Sequence, residues 1–214
     1  MNAVRKDIPP PPPRIAALPV DERGYPVPFF VAWRDGQPDF RFTDPDKLVA
    51  CIRGKLCWVC GTQLCRYQTF VIGPMCSVNR VSAEPPSHKE CAEYSVRACP
   101  FLSKPHMTRR EYNMPDDLPL PPGIMIRRNP GVTALWSCRE YTPFRDGKGV
   151  LFQIGPPETV SWWAEGRLAT RTEVLASVES GLPILREMAE KEGPPAVKEL
   201  EKLYGAALMY FPKE

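Results

Sequence analysis

The sequence predicts an α+β protein: a small body rich in β-hairpins, a compact cysteine-rich module embedded in it, and helices at the C-terminal end. Three observations lead there. Proline supplies 27 of the 214 residues, against a usual share of about 5%, and most of these prolines fall as stops between short segments. Short runs rich in β-branched and aromatic residues fill the first two thirds of the chain. The longest helical spacing of apolar residues comes only after residue 170. Prolines on this scale exclude a helical bundle or coiled coil, because each removes a backbone donor and clashes with the preceding turn. A 43% apolar content and a net charge of +3 are enough for a real core and do not predict general disorder.

From the N-terminus, residues 1–24 read as a disordered proline-rich arm. Residues 9–13 are five consecutive prolines, whose fixed φ angles impose a polyproline II rod. Pro9, Pro12 and Arg14 fit the P-x-x-P-x-R pattern of peptides that dock in SH3-type grooves. Order is expected from Tyr25, with residues 25–55 forming a hairpin and a helix and 25–214 as one compact unit. Residues 28–33 read as a strand, Asp35-Gly36 as a turn and residues 39–42 as the returning strand. Thr43, Pro45 and the flanking acids mark a helix start, and the helix should stop at Gly54.

Residues 56–102 form the cysteine-rich module, and 103–131 an extended proline-rich connector. In the last segment, 132–214, residues 132–141 and 149–154 are strand-like and separated by a turn at 145–149. A short helix is expected over 157–163. Thr170 and Glu173 then form a capping box ahead of a helix carrying Val174, Leu175 and Val178. Pro183 restarts the chain, and a last helix runs over 195–209.

The chemistry lies in the module. No stretch approaches the ~20 apolar residues of a membrane span, and no apolar core of signal length precedes the N-terminal prolines. The chain is therefore expected in the cytoplasm, without a membrane partner, and in that setting clustered cysteines point to metal ligands. Cys57 and Cys60 have the C-x2-C spacing of a zinc knuckle, followed by Gly61 for the tight turn. Two β-prone runs, 67–72 and 76–81, flank Gly73-Pro74 and read as a hairpin. Pro85-Pro86 then end the strand, Ser87 and Glu90 read as a capping box, and His88 and Cys91 fall on one face of the first helical turn. Cys57, Cys60, His88 and Cys91 thus make a tetrahedral Cys3His site suited to structural Zn²⁺, with Cys76 as the candidate substitute ligand. Cys51, Cys65, Cys99 and Cys138 carry no second knuckle spacing, and no catalytic constellation is evident.

Knuckle, hairpin and helix start, in that order, resemble the treble-clef zinc-finger superfamily over about residues 56–101. Asn79 ahead of the helix and the histidine in its first turn are similar to the HNH branch of nucleases. That branch implies a general-base histidine on the first hairpin strand. Residues 69–77 contain none, so the arrangement is HNH-like without its catalytic histidine.

Between Arg53 and Arg110 nine cations face three acids, whereas from Arg171 onward six face eight. The expected function is a zinc-stabilised binding protein that contacts nucleic acid through Arg53, Lys55, Arg66, Arg80, Lys89 and Arg97, with Trp58 and Tyr67 for base stacking. The alternative is a protein-protein adaptor that uses the proline arm, residues 9–14, and the C-terminal helices. A metal- or cysteine-dependent enzyme, a degenerate HNH-type nuclease, is the third reading.

Overall fold

A computed structural model describes residues 2–104, 107, 129–147 and 149–213. Most of the expected connector, with His106, Arg109, Arg110, Asp116, Asp117, Arg127 and Arg128, lies outside the described residues. The elements, in order, are α1 (Pro13–Ala16), β1 (Val31–Arg34), β2 (Gln37–Thr43), α2 (Pro45–Gly54), β3 (Gln68–Ile72), α3 (Pro74–Asn79), β4 (Val81–Ser82), α4 (Lys89–Ala98) and α5 (Pro100–Ser103). After the undescribed segment come β5 (Thr133–Cys138), β6 (Tyr141–Asp146), β7 (Gly149–Ile154), β8 (Pro157–Ala164), β9 (Arg167–Leu168), α6 (Arg171–Glu192) and α7 (Pro194–Ala207), then a 3₁₀ turn, Leu208–Tyr210. The fold is mixed α and β with small antiparallel sheets, as the sequence predicts. No helix among the described residues is long and apolar enough to cross a membrane.

The central sheet has the order β3-β5-β8-β9, and its two faces serve two different layers. In β5, Ala134 and Trp136 face one way and Leu135 the other, as period-two alternation requires. Phe70, Ile72, Ala134, Trp136, Trp162 and Ala164 form the main core with Val78 of α3, Val174 and Val178 of α6 and Leu200 of α7. Leu135 and Trp163, joined by Val71, pack instead against Ala92 and Val96 of α4. The adjacent tryptophans Trp162 and Trp163 are therefore both buried, but on opposite faces. Their indole N–H groups are satisfied by the Tyr210 carbonyl and the Ser161 hydroxyl respectively.

Several expectations give way where long-range pairing outweighs local preference. Residues 76–81 do not return as a hairpin strand: Gly73 caps and Pro74 opens the short helix α3, Ser77 Oγ donates to the Pro74 carbonyl, and β3 pairs with β5 instead. Residues 157–163 are strand β8 and not a helix, because Thr159, Val160, Trp162 and Trp163 suit a pleated, buried position between β5 and β9. The expected strand over 132–141 is split, with β5 in the central sheet and β6 in the β4-β7-β6 sheet. Pro183 does not restart the chain but sits inside α6. It is exposed, as is Glu179, so the carbonyl that loses its amide partner faces water.

The N-terminal arm is not the unpacked segment expected. Ile15 is 1% exposed, Val20 bridges to Pro26, and the Arg5 amide donates to the Gly24 carbonyl. Pro12 is extended, but Pro13, the last proline of the expected rod, opens α1, which carries Ile15. The prolines' fixed φ angles limit the conformational freedom lost on docking, so a few apolar side chains are enough to fix the arm. Other local signals are realised. Asp35-Gly36 turns the β1–β2 hairpin with both φ angles positive, and Asp44, one residue after the expected cap, accepts from the Asp46 and Lys47 amides.

The Thr170–Glu173 capping box forms in full, and Glu173 also meets Arg167 at 2.6 Å. That guanidinium, and then the Thr170 amide, hold the Glu173 carboxyl at about 2, below its ordinary 4.5. A depressed carboxyl stabilises the fold above its unfolded value and loses that contribution as pH falls through its folded one. Glu173→Gln is therefore expected to lower stability by ~1 kcal/mol at pH 7. In urea titrations of both proteins the difference should shrink below pH 4.5 and vanish only as pH falls below 2. A difference independent of pH would show that the charge contributes nothing.

Candidate metal centre

Two chain segments meet at the back of the central sheet. The first is the turn over residues 57–60. The Gly61 amide donates to the Cys57 carbonyl at 2.8 Å, and the Cys57 amide to the Thr62 carbonyl at 2.8 Å. Gly61 has φ +71, and a Cβ there would come within 2.6 Å of the Phe29 ring. Glycine is thus required both for the left-handed turn and for the close approach. The second segment is the start of α4. Ser87 pairs with Thr69 of β3 through two 2.8 Å backbone bonds, and the Trp58 amide donates to the Pro86 carbonyl at 3.1 Å. These bonds fix residues 86–87 against both the sheet and the turn. As a result Ser87 is not the cap: His88 holds the N-cap position, without a side-chain cap bond, and no capping box with Glu90 forms.

This closure brings Cys57, Cys60, His88 and Cys91 together, all buried, with one ligand atom from each lying within 4.8 Å of the others. His88 Nδ1 is 3.4 Å from Cys60 Sγ and 4.0 Å from Cys91 Sγ. Bonds of ~2.0 Å to nitrogen and ~2.3 Å to sulfur put tetrahedral edges in this range. The other ring nitrogen, Nε2, donates to the Gln63 carbonyl at 2.9 Å, which leaves Nδ1 free to be a ligand. The Cys60 and His88 amides point at Cys57 Sγ from 3.5 and 3.4 Å. Arg14 donates to Thr62 Oγ1 at 3.0 Å, so the single hydroxyl proton of Thr62 serves Cys60 Sγ at 3.2 Å. Hydrogen bonds from Cys57, then Cys91, hold the Cys60 thiol far below its ordinary value, while contact with Cys60 pushes Cys57 upward and contacts with Cys57, then Cys60, push Cys91 upward. Donor set, spacing and supporting bonds fit a divalent ion. A buried Cys3His group of this kind could hold one, and Cys76 is not part of it: it lies on α3 beside the main core.

Other expected site residues lie elsewhere. Trp58 is 4% exposed and stacked on Phe30 with ring centroids 4.8 Å apart, so it presents no face for base stacking. Arg80 is half-buried, its guanidinium 4.0 Å over Trp136 and 5.1 Å from the Tyr210 ring, and it is a packing residue of the main core. Both corrections share one cause: sequence charge and aromaticity do not record which side of an element turns inward. Lys89 is exposed but pairs with Glu93. Arg97 covers Trp163 at 4.9 Å. Arg53, Lys55 and Arg66 are exposed, and Tyr67 is 43% exposed between the Arg66 and Arg139 guanidinium groups. Sequence reasoning missed Arg139, Thr62 and the carbonyl of Gln63. It also placed Arg14 in a free ligand motif, whereas Arg14 is bound to Glu90 and Thr62.

No family model matches the chain, and neither a curated protein nor a solved structure is significantly similar to it. The site must be read from its own geometry.

Burial pushes the Cys51 thiol to about 12 and those of Cys76 and Cys138 to about 11, and it also raises Cys99. Cys65 is exposed. In the metal-loaded protein at pH 8, iodoacetamide is expected to label Cys65 first. Chelation should add Cys57, Cys60 and Cys91 to the labelled set, read by peptide mass spectrometry. Equal labelling of those three before and after chelation would rule out their shared role.

Proposed function

We propose that the protein is a zinc-stabilised binding protein in which the ion closes the fold and performs no chemistry. The carrying observation is that all four tetrahedral positions are supplied by buried side chains. A catalytic zinc keeps one position for water or substrate, whereas a structural zinc does not. Three thiolates and one imidazole favour zinc over the hard, oxygen-seeking cations. A knuckle facing a helix N-terminus keeps the two ligand-bearing ends of a treble clef. The segment between them, β3-α3-β4 in place of a hairpin, departs from it.

Purified protein is expected to carry one zinc per chain by elemental analysis. Cys91→Ser should lose the ion and at least about 3 kcal/mol of stability. A metal content near zero, or unchanged stability in Cys57→Ser and Cys91→Ser, would remove this reading.

For the partner, we propose a polyanion, with single-stranded nucleic acid as the favoured class. What supports this is the edge where residues 53–55 and 63–67 run side by side, tied by the Leu64 amide to the Lys55 carbonyl at 2.9 Å. Arg53, Lys55 and Arg66 supply charge there, and Tyr67 supplies an exposed ring. Binding of labelled single-stranded DNA or RNA, followed by anisotropy, should weaken steeply with salt. Tyr67→Ala with Arg66→Ala should reduce it about tenfold or more. Absence of binding at low ionic strength would exclude nucleic acid and leave the adaptor reading.

A further inference from the structure

The N-terminal segment lies against the metal centre, and nothing in the proposed function requires it there. Ile15, 1% exposed, shares a cluster with Cys57, Cys60, Cys91, Val59 and Tyr94, and Ile8 and Leu18 pack on the same cluster. Next to it, Arg14 spans both halves of the site. Its Nη1 donates to Thr62 Oγ1 at 3.0 Å, and Thr62 in turn contacts Cys60 Sγ. Its Nε donates to Glu90 Oε1 at 2.9 Å in the first turn of α4. The polyproline run just before it delivers these two residues in a stiff conformation that costs little entropy to hold.

We propose that residues 8–18 are a strap over the metal centre, coupled to it in both directions. The docked strap retards exchange of the ion, and loss of the ion frees the strap. The coupling follows from shared surface. Ile15 belongs to the buried cluster that holds three of the four ligands, so on this proposal water, a chelator or a competing thiol reaches those ligands only after the strap lifts. Conversely, Ile15 keeps its burial and Arg14 its two partners only while Cys60 and the start of α4 stay together. At equilibrium, linkage makes the gain in ion affinity from the docked strap equal to the gain in strap docking from the bound ion. This inference rests on the zinc reading above, and the experiment separates the two.

Zinc-loaded wild type, Ile15→Ser and Arg14→Ala are compared for zinc content and for the rate of zinc transfer to a colorimetric chelator, and wild type and Ile15→Ser also for tryptic cleavage after Arg14. Trypsin needs the Arg14 side chain, which the docked strap occupies, so the loaded wild type should resist cleavage there while Ile15→Ser is cut. Both variants should still hold one zinc. Ile15→Ser should release it faster by on the order of tenfold, since loss of a buried branched side chain shifts an opening equilibrium by at least that factor. Arg14→Ala should release it faster because the two hydrogen bonds that hold the strap are gone. Release rates equal to wild type in variants that hold zinc would overturn the strap and leave the zinc reading intact. Absence of zinc from the wild type would remove both. Should Ile15→Ser fail to fold, the release rate of Arg14→Ala decides, since that change leaves Ile15 and the buried cluster in place.

Discussion

Three thiols and an imidazole confined within 4.8 Å are an unstable arrangement on their own. Three thiolates at such separations repel strongly, and holding them protonated wastes the amide and hydroxyl donors aimed at Cys57 and Cys60. A divalent cation would resolve the conflict, adding to the backbone bonds that already tie residues 86–87 to the sheet and the turn. The turn at 57–60 contributes two buried apolar residues besides its ligands, and α4 is only ten residues long. Charge compensation by an ion held there would fasten the start of α4. Through α4 it would fasten the back of the central sheet.

The central sheet converts that local closure into a whole fold. Strand β5 is buried at all of its positions and β8 over Trp162–Ala164, so the pairing of these two is specified on both faces and not at alternate positions. A one-residue slip of β8 against β5 would exchange Trp162 and Trp163, sending the indole bonded to Tyr210 toward α4 and the one packed on Ala92 and Val96 toward α6 and α7. Neither layer has room for that exchange, since both tryptophans are buried within close-packed clusters. The register of β5 against β8 is thus set by two adjacent large side chains that need opposite neighbours.

What the sequence disclosed and what it hid divide along one physical line. The C-x2-C knuckle, the His88-x-x-Cys91 spacing, the Asp35-Gly36 turn and the Thr170–Glu173 box are all written within a few residues. Their geometry depends on covalent reach alone, and each is found where the residues put it. The residues 76–81 and 157–163 were misread because their outcome depends on distant partners: β3 pairs with β5 sixty-odd residues later, and β8 is a strand because β5 and β9 flank it. The burial of Ile15 was invisible for the same reason. A lone isoleucine after five prolines has no periodicity, and its partners at the metal centre lie more than forty residues away. Trp58 and Arg80 show the converse error, since residue type named a plausible surface role but burial assigned them to packing.

The pairing of Gln68 with Cys138 also bears on the order in which the chain can assemble during synthesis. The four metal-site residues span positions 57 to 91, whereas the sheet on which α4 rests needs residues up to 164. On a ribosome, which delivers residues from the N-terminus, the metal-centre segment leaves the exit tunnel well before β5 and β8 exist. Thr69 of β3 gives both its backbone groups to Ser87, on the edge of β3 away from β5, so that outer edge is partly covered while the inner one waits for β5. Unpaired edges of this kind recruit other chains. The short bridge between Thr69 and Ser87, modest in the finished molecule, is therefore a guard on the nascent one.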